Sequence, residues 1–242
     1  MSILPQPHLL KHVTCQLLAA LLPGSCLLCG GDAGRQPLCP ACAADLPALP
    51  AALCPQCGEP TSRGERCGRC LKTPPYFAAT FALYRYDFPA DRLIQALKYG
   101  HQLALAGWIG QQLAARLASR RFDGIIPLPL HPTRLGERGF NQSVEIARSL
   151  AKVLHTTMQI DCLVRTRATP PQAELALKER ARNVRGAFAC LGDIDGLNLL
   201  LVDDVMTSGA TLNEAARILR LHGAARVEVA VAARALKNEW SA

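Results

Sequence analysis

Leu199-Leu200-Leu201-Val202-Asp203-Asp204-Val205-Met206-Thr207-Ser208-Gly209-Ala210-Thr211-Leu212 is the stretch that decides how the chain is built. Its apolar opening, Leu199–Val202, has the character of a strand buried on both faces of a parallel sheet. Two adjacent carboxylates follow, then a turn of small and hydroxylated residues around one glycine, then a helix. A helix that starts after such a turn presents unpaired backbone N–H groups and the positive end of its dipole to an anion. The two acids beside it suit sugar hydroxyls and a divalent cation. One short segment can therefore grip a phosphorylated sugar at both ends.

This order of residues resembles the phosphoribosyl pyrophosphate (PRPP) signature of type I phosphoribosyltransferases. The resemblance implies that Asp203 and Asp204 contact the ribose 2′ and 3′ hydroxyls. It also implies that Thr207, Ser208, Gly209, Ala210 and Thr211 wrap the 5′-phosphate. Two other phosphate loops do not fit: the Gly-Lys-Ser/Thr of a Walker A loop and the Gly-x-Gly-x-x-Gly of a Rossmann turn are both missing here. The plain alternative is a strand-to-helix turn with two solvated acids.

The chain has 242 residues, half of them hydrophobic, with few aromatics. That is enough for one moderate domain and a small satellite. No apolar run reaches the ~18 residues of a membrane helix, so a cytoplasmic protein without a membrane span is expected. His8–Leu22 is apolar enough to suggest a signal peptide, yet Pro23 and the thin positive region before it argue against one. Leu9, Leu10, Val13, Leu17, Ala20 and Leu21 fall on one helical face, so residues 1–25 are expected to form an amphipathic helix.

Eight of the eleven cysteines repeat. Cys26-x-x-Cys29 with Cys39-x-x-Cys42 recurs 28 residues later as Cys54-x-x-Cys57 with Cys67-x-x-Cys70, and Gly30 recurs as Gly58. Paired Cys-x-x-Cys knuckles supply four soft ligands to a tetrahedral ion, so residues 26–72 are expected to be a double zinc ribbon. Disulfides would need an oxidising compartment, and a thioredoxin-like motif would occur once beside a βαβ unit. An iron–sulfur cluster also suits tetrahedral sulfur. Sequential pairing is the simpler partition, with a crossed one left open. Four thiolates leave no coordination position for a catalytic water, so these are structural sites. Two such sites bring the formal charge of +8 to about +4. Arg63, Arg66, Arg69 and Lys72 lie where they can offset thiolate charge. Cys15, Cys162 and Cys190 are expected to be ordinary buried thiols.

Thr73-Pro74-Pro75 closes the metal region, and residues 76–242 alternate strand and helix patterns. Strands are expected at Thr80–Tyr86, from Gly124 into the Pro127–Pro132 loop, at Ile160–Val164, Leu199–Val202 and Val227–Val231. Helices are expected from Pro89 to Gly100, from Leu103 to Ser119, through Val144–Leu154 and over Asn213–Leu221. Such alternation implies an α/β fold, a parallel sheet with flanking helices, whose ligands bind beyond the carboxyl ends of the strands.

Taken together, the motifs are similar to those of the ComF/GntX family of competence-associated proteins. They comprise the double ribbon, then Ala96-Leu97-Lys98-Tyr99-Gly100, then Pro127-Leu128-Pro129-Leu130-His131-Pro132-x-Arg134, and Arg138-Gly139-Phe140-Asn141-Gln142-Ser143. Thr169-x-x-Gln172-x-x-Leu175, Arg180 and Asn183-Val184-Arg185-Gly186-Ala187-Phe188 follow, ahead of the Asp203 loop. The resemblance implies a type I phosphoribosyltransferase-like fold, PRPP held with Mg²⁺, and a role in DNA uptake or the use of incoming DNA. If the protein catalyses, diphosphate leaves ribose C1 as a nitrogen nucleophile attacks. Asp203 and Asp204 would stabilise the cationic transition state, while Arg134, Arg138, Arg165 and Arg180 would hold the diphosphate. Lys98 is a further candidate there, or else a helix-end lysine that complements the dipole. Gln172–Arg185 would be a lid. A non-catalytic adaptor for single-stranded DNA or competence-machinery proteins is the rival reading, based on the zinc ribbon and the arginine-rich Val164–Arg185 stretch.

Overall fold

The structure, a computed structural model, describes residues 24–168 and 182–236. The amphipathic segment before Gly24, Cys15, the Thr169–Leu175 motif, Arg180 and most of the Gln172–Arg185 segment lie outside the described residues. The chain divides into two compact units, Met1–Leu46 and Pro47–Ala242. The first cysteine set belongs to one unit and the second set to the other.

In the first unit, Cys26-x-x-Cys29 turns on Gly30 (φ 75°), whose N–H donates to the Cys26 carbonyl at 2.9 Å. The short helix α1 (Pro40–Ala44) carries Cys42, with Cys39 at its N-cap. In the second unit the same turn recurs at Gly58 (φ 69°), whose N–H donates to the Cys54 carbonyl at 2.9 Å. Here α2 (Gly68–Lys72) carries Cys70, with Cys67 at its N-cap. The sequence repeat is thus a repeat of turn and cap.

The rest of the second unit is built on four parallel strands, β1 (Thr80–Arg85), β2 (Gly124–Pro127), β5 (Asn198–Met206) and β6 (Arg226–Arg234), in the order β1-β6-β5-β2. Leu199–Val202 are fully buried, as a run apolar on both faces requires. Leu199 and Leu201 share a core with Val227, Val229 and Val231 and with Leu212, Ala215 and Leu219 of α7 (Ala210–Leu221). The pleat turns Leu200 and Val202 to the opposite face. There α4 (Leu103–Arg116) and α6 (Gln142–Leu154) pack on each other and on the sheet. Helices on both faces of a parallel sheet make this the expected α/β fold. Helix α3 (Ala90–Tyr99) follows β1, with Pro89 at its N-cap and Gly100 at its end. None of the helices among the described residues is long and apolar enough to cross a membrane.

Three details depart from the sequence pattern. Strand β5 runs on past Val202 to Met206, because Asp203, Val205 and Met206 still ladder to Val231, Ala233 and Arg234. The Ile160–Val164 strand forms as β3 (Leu163–Arg165), pairing antiparallel with β4 (Phe188–Cys190) in a sheet of its own. And Pro132–Arg138 is a helix, α5: Pro132 sits at its first turn, and the His131 ring accepts from the Thr133 N–H at 3.3 Å. A proline-rich loop thus ends by starting a helix, as proline's fixed φ favours at N1.

Candidate functional site

Beyond the carboxyl ends of β2 and β5 lies a cavity of about 560 Å³, in the size range of small-molecule sites. Asp203, Asp204, Thr207, Gly209, Ala210 and Thr211 line one side of it, and Lys98, Arg134, Arg138 and Arg165 also face it. Most of the residues singled out from sequence are therefore brought together. Ser208 is not among the lining residues; its hydroxyl accepts from the Ala210 N–H at 3.3 Å and so tightens the turn.

The acid pair is tightly held. Asp203 Oδ1 accepts from the Ser143 hydroxyl and from the Asp204 N–H, both at 2.9 Å. Burial and the neighbouring Asp204 carboxylate push the Asp203 carboxyl up to about 7, against the pull of the Asp204 N–H, Lys98 and Ser143. Asp204 is buried, and its Oδ2 pairs with Lys98 Nζ at 3.0 Å. Burial works against the Lys98 charge, yet the Asp204 carboxylate outweighs it and holds the lysine above its ordinary value. Lys98 thus sits on the acid pair, reached from the last turn of α3.

The contacts of Ser143 and Lys98 with the acids are what sequence reasoning missed. Lys98 belongs to the Ala96–Gly100 motif and Ser143 to the Arg138–Ser143 motif, but only folding brings them to β5. The Gly139–Ser143 motif works as a joint. Gly139 ends α5 in the left-handed region, and Asn141 caps α6 by accepting from the Ser143 N–H at 3.0 Å. The Asn141 amide also donates to the Leu128 carbonyl at 3.0 Å, tying α6 to the end of β2. That bond places Ser143 over Asp203.

The cations sit on shorter elements. Arg134 and Arg138 project from α5; Arg138 donates to Gln142 Oε1 at 2.6 Å and lies over the Tyr99 ring at 5.4 Å. Arg165 ends β3 and lies over Phe188 at 5.6 Å. Burial and nearby Arg134 disfavour the Arg165 charge, while Asp203 favours it. Across the cavity the Thr207–Thr211 turn starts α7 at Gly209, a left-handed residue (φ 79°) that brings no capping side chain. Such a helix start leaves N–H groups for an anion.

The two cysteine sets close sequentially: Cys26, Cys29, Cys39 and Cys42, and Cys54, Cys57, Cys67 and Cys70, each with sulfurs within 4.8 Å of one another. Tetrahedral zinc with bonds of about 2.3 Å sets its sulfurs about 3.8 Å apart. Cys29 and Cys39 are 3.8 Å apart, and Cys57 and Cys67 are 3.6 Å apart. The residues present fit structural zinc held by four thiolates. Burial opposes ionisation of Cys26, but N–H groups of Cys29, Cys39 and Leu28 bring it down to about 6, and Cys54 is brought to about 7 in the same way. One thiol in each set is thus poised as a ligand thiolate. Arg69 lies beside Cys57 and Cys70, as the charge-offset reading expects. Cys162 is buried and Cys190 half-buried, with sulfurs 3.9 Å apart across β3–β4.

The double zinc ribbon domain model matches residues 17–71, and the phosphoribosyl transferase domain model matches residues 141–239. The chain is 35% identical over 218 residues to the DNA utilization protein YhgH of Escherichia coli O157:H7, covering 86% of this chain and 96% of that protein. It is 31% identical over 227 residues to competence protein F of Haemophilus influenzae, with 87% and 96% covered. Competence protein ComFC of Bacillus subtilis is 25% identical over 197 residues, with 78% and 80% covered. Two four-cysteine sites joined to a phosphoribosyltransferase-type sheet, and relatives matched over almost their whole length, place this chain in the ComF/GntX family.

Proposed function

We propose that the protein binds PRPP with Mg²⁺ in the cavity at the end of β5 and acts in the use or uptake of DNA. The observation that carries this reading is the convergence of Asp203 and Asp204, the Thr207–Thr211 turn and the Arg134, Arg138 and Arg165 side chains on one cavity. The ribose lies on the acids, the 5′-phosphate in the turn at the start of α7, and the diphosphate toward the arginines. Asp203 is the acid better placed to help hold Mg²⁺, since Asp204 is already paired with Lys98 at 3.0 Å. The bound ion would neutralise diphosphate oxygens as a Lewis acid. The names of the relatives, a DNA utilization protein and competence proteins, support the cellular role.

The same arrangement suits displacement of diphosphate from ribose C1 by a nitrogen nucleophile. The C1–O bond breaks with its electrons leaving on diphosphate, and the arginines stabilise that charge. The acids stabilise the cationic ribose. A screen for diphosphate release across bases and amines reads out turnover.

Binding is tested by calorimetry. Wild-type protein is expected to bind PRPP–Mg²⁺, and Asp203→Asn and Asp204→Asn each to weaken it about tenfold or more, the worth of a hydrogen bond to a charged group. Equal binding by both variants, or none by wild type, overturns the reading. Affinity is also expected to rise about tenfold from pH 6 to pH 8. The empty protein's Asp203 titrates near 7, only its ionised form accepts the ligand, and binding therefore releases a proton. Asp203→Asn should lose that part of the pH profile.

A second reading has one observation in its favour. Arg134 and Arg138 adjoin Tyr99, which is 71% exposed, at the same cavity. Base stacking and phosphate contacts there would bind a single strand. Such binding would fall steeply with salt and survive Asp203→Asn and Asp204→Asn.

A further inference from the structure

Arg234, the last residue of β6, is the largest fully buried side chain among the described residues. Besides its neighbour Ala235, its guanidinium is spent on two segments. Nε donates to the Cys57 carbonyl at 3.0 Å, and Nη2 meets Glu59 Oε1 at 2.7 Å, both in the second cysteine knuckle. Nη1 donates to the Met206 carbonyl at 3.1 Å and to the carbonyls of Thr207 and Ala235. Met206 and Thr207 are the entry to the phosphate turn.

The consequence is directional. Within a trans peptide the C=O and N–H point opposite ways. With the Met206 and Thr207 carbonyls fixed on the guanidinium, the N–H groups of Thr207 and Ser208 face away from it, and Thr207 lines the cavity. The knuckle forms a packed wall behind this. Gln56 donates to the Phe77 carbonyl at 3.1 Å, and the Thr80 hydroxyl donates to the Gln56 carbonyl at 2.7 Å. Cys54, Cys57, Cys70, Phe77 and Met206 share one core.

We propose that Arg234 is a positioning residue for the phosphate turn, held by the metal-bound second knuckle, so that metal occupancy at Cys54, Cys57, Cys67 and Cys70 and 5′-phosphate binding at Thr207–Thr211 are linked. This rests on the PRPP reading of the cavity. Burying an arginine is costly unless every N–H is matched. Here the matched acceptors, the adjoining Ala235 carbonyl aside, belong to the second knuckle and to the Met206–Thr207 segment, which gives each a stake in the other. A lysine retains the charge but not the planar fork that spans both segments.

The test uses the zinc-loaded full chain and ribose 5-phosphate as the probe. Arg234→Lys is expected to weaken ribose 5-phosphate binding about tenfold or more. Linkage between affinities is reciprocal, so saturating ribose 5-phosphate should reduce the zinc released to a chromophoric chelator at equilibrium in wild type and not in Arg234→Lys. With a merely structural arginine, the variant would release more zinc with or without ligand. If Arg234→Lys fails to fold, Glu59→Gln, which loosens one arm, should weaken binding several-fold and reduce the ligand effect on release. Wild-type affinity in the folded variants, or zinc release indifferent to ligand in wild type, overturns the linkage alone. Wild type that binds neither ribose 5-phosphate nor PRPP overturns the PRPP reading and the linkage with it.

Discussion

Stripping the metal with a strong chelator at pH 7 is expected to unfold residues 24–46 outright and to loosen the second knuckle while the sheet persists. The described part of the first unit buries only Cys26, Ala33, Leu38 and Leu46 as apolar side chains, too few to order a segment unaided. Its folding free energy is the metal's, about 10–16 kcal/mol for a structural zinc site. The second set differs in kind. Cys54, Cys57 and Cys70 belong to a core that also contains Phe77, Met206 and Leu212, so loss of metal leaves thiols still packed against apolar neighbours. Limited proteolysis with mass spectrometry checks this: early cuts within 24–46, later ones within 54–72, and a protected β5–β6 core. Acid should mimic the chelator. Protons compete with metal for the ligand thiolates, so zinc affinity falls as pH drops.

Lys98→Met is expected to cost about 3–5 kcal/mol of stability at pH 8, the usual penalty for removing one partner of a buried pair. Lys98 keeps 22% of its side chain exposed, against 5% for Asp204, so most of the uncompensated charge remains out of water. The sign with pH follows from both groups. The lysine, raised above its ordinary value, stays charged across the neutral range, and its contribution is lost only as pH climbs through that raised value. On the acid side the variant's penalty shrinks as pH falls, because Asp203, raised by burial and by Asp204 and now without the pull of Lys98, takes up a proton more readily and the repulsion between neighbouring carboxylates fades. Denaturant melts at pH 8 and pH 6 should show the larger loss at pH 8. The Lys98→Met, Asp204→Asn double variant should recover a good part of it. A loss independent of pH would show that Lys98 acts through its methylene stem instead.

The strand, the placement of the acids and the Thr207–Thr211 turn were legible from Leu199 to Leu212 because burial, charge and turn chemistry agree within one short segment. The cysteine repeat was legible because ligand spacing is itself a local code. What could not be seen depends on distant pairs. Ser143 meets Asp203 across 60 residues of sequence, and Arg234 meets Cys57 across 177. An arginine in an apolar strand carries no mark of which carbonyls it will meet. Strand β3 read as part of the main sheet because its residues are apolar, but nothing local says whether a short strand pairs with β5 or, as here, with Phe188–Cys190. Helix α5 was obscured by Pro132 and the prolines before it, which suit a loop and a first helical turn equally.

The length of β5 has one more consequence. Asp203 sits inside a ladder that continues to Met206, with its backbone registered against Val231, and so the acids form an anvil that does not yield. Arg134 and Arg138 ride on a seven-residue helix, and Arg165 on a three-residue strand. If the cavity holds PRPP, adjustment to the guest would fall to those short elements, its jaws, rather than to the ladder. The anvil would then set which sugars are admitted, and the jaws how quickly they are let go.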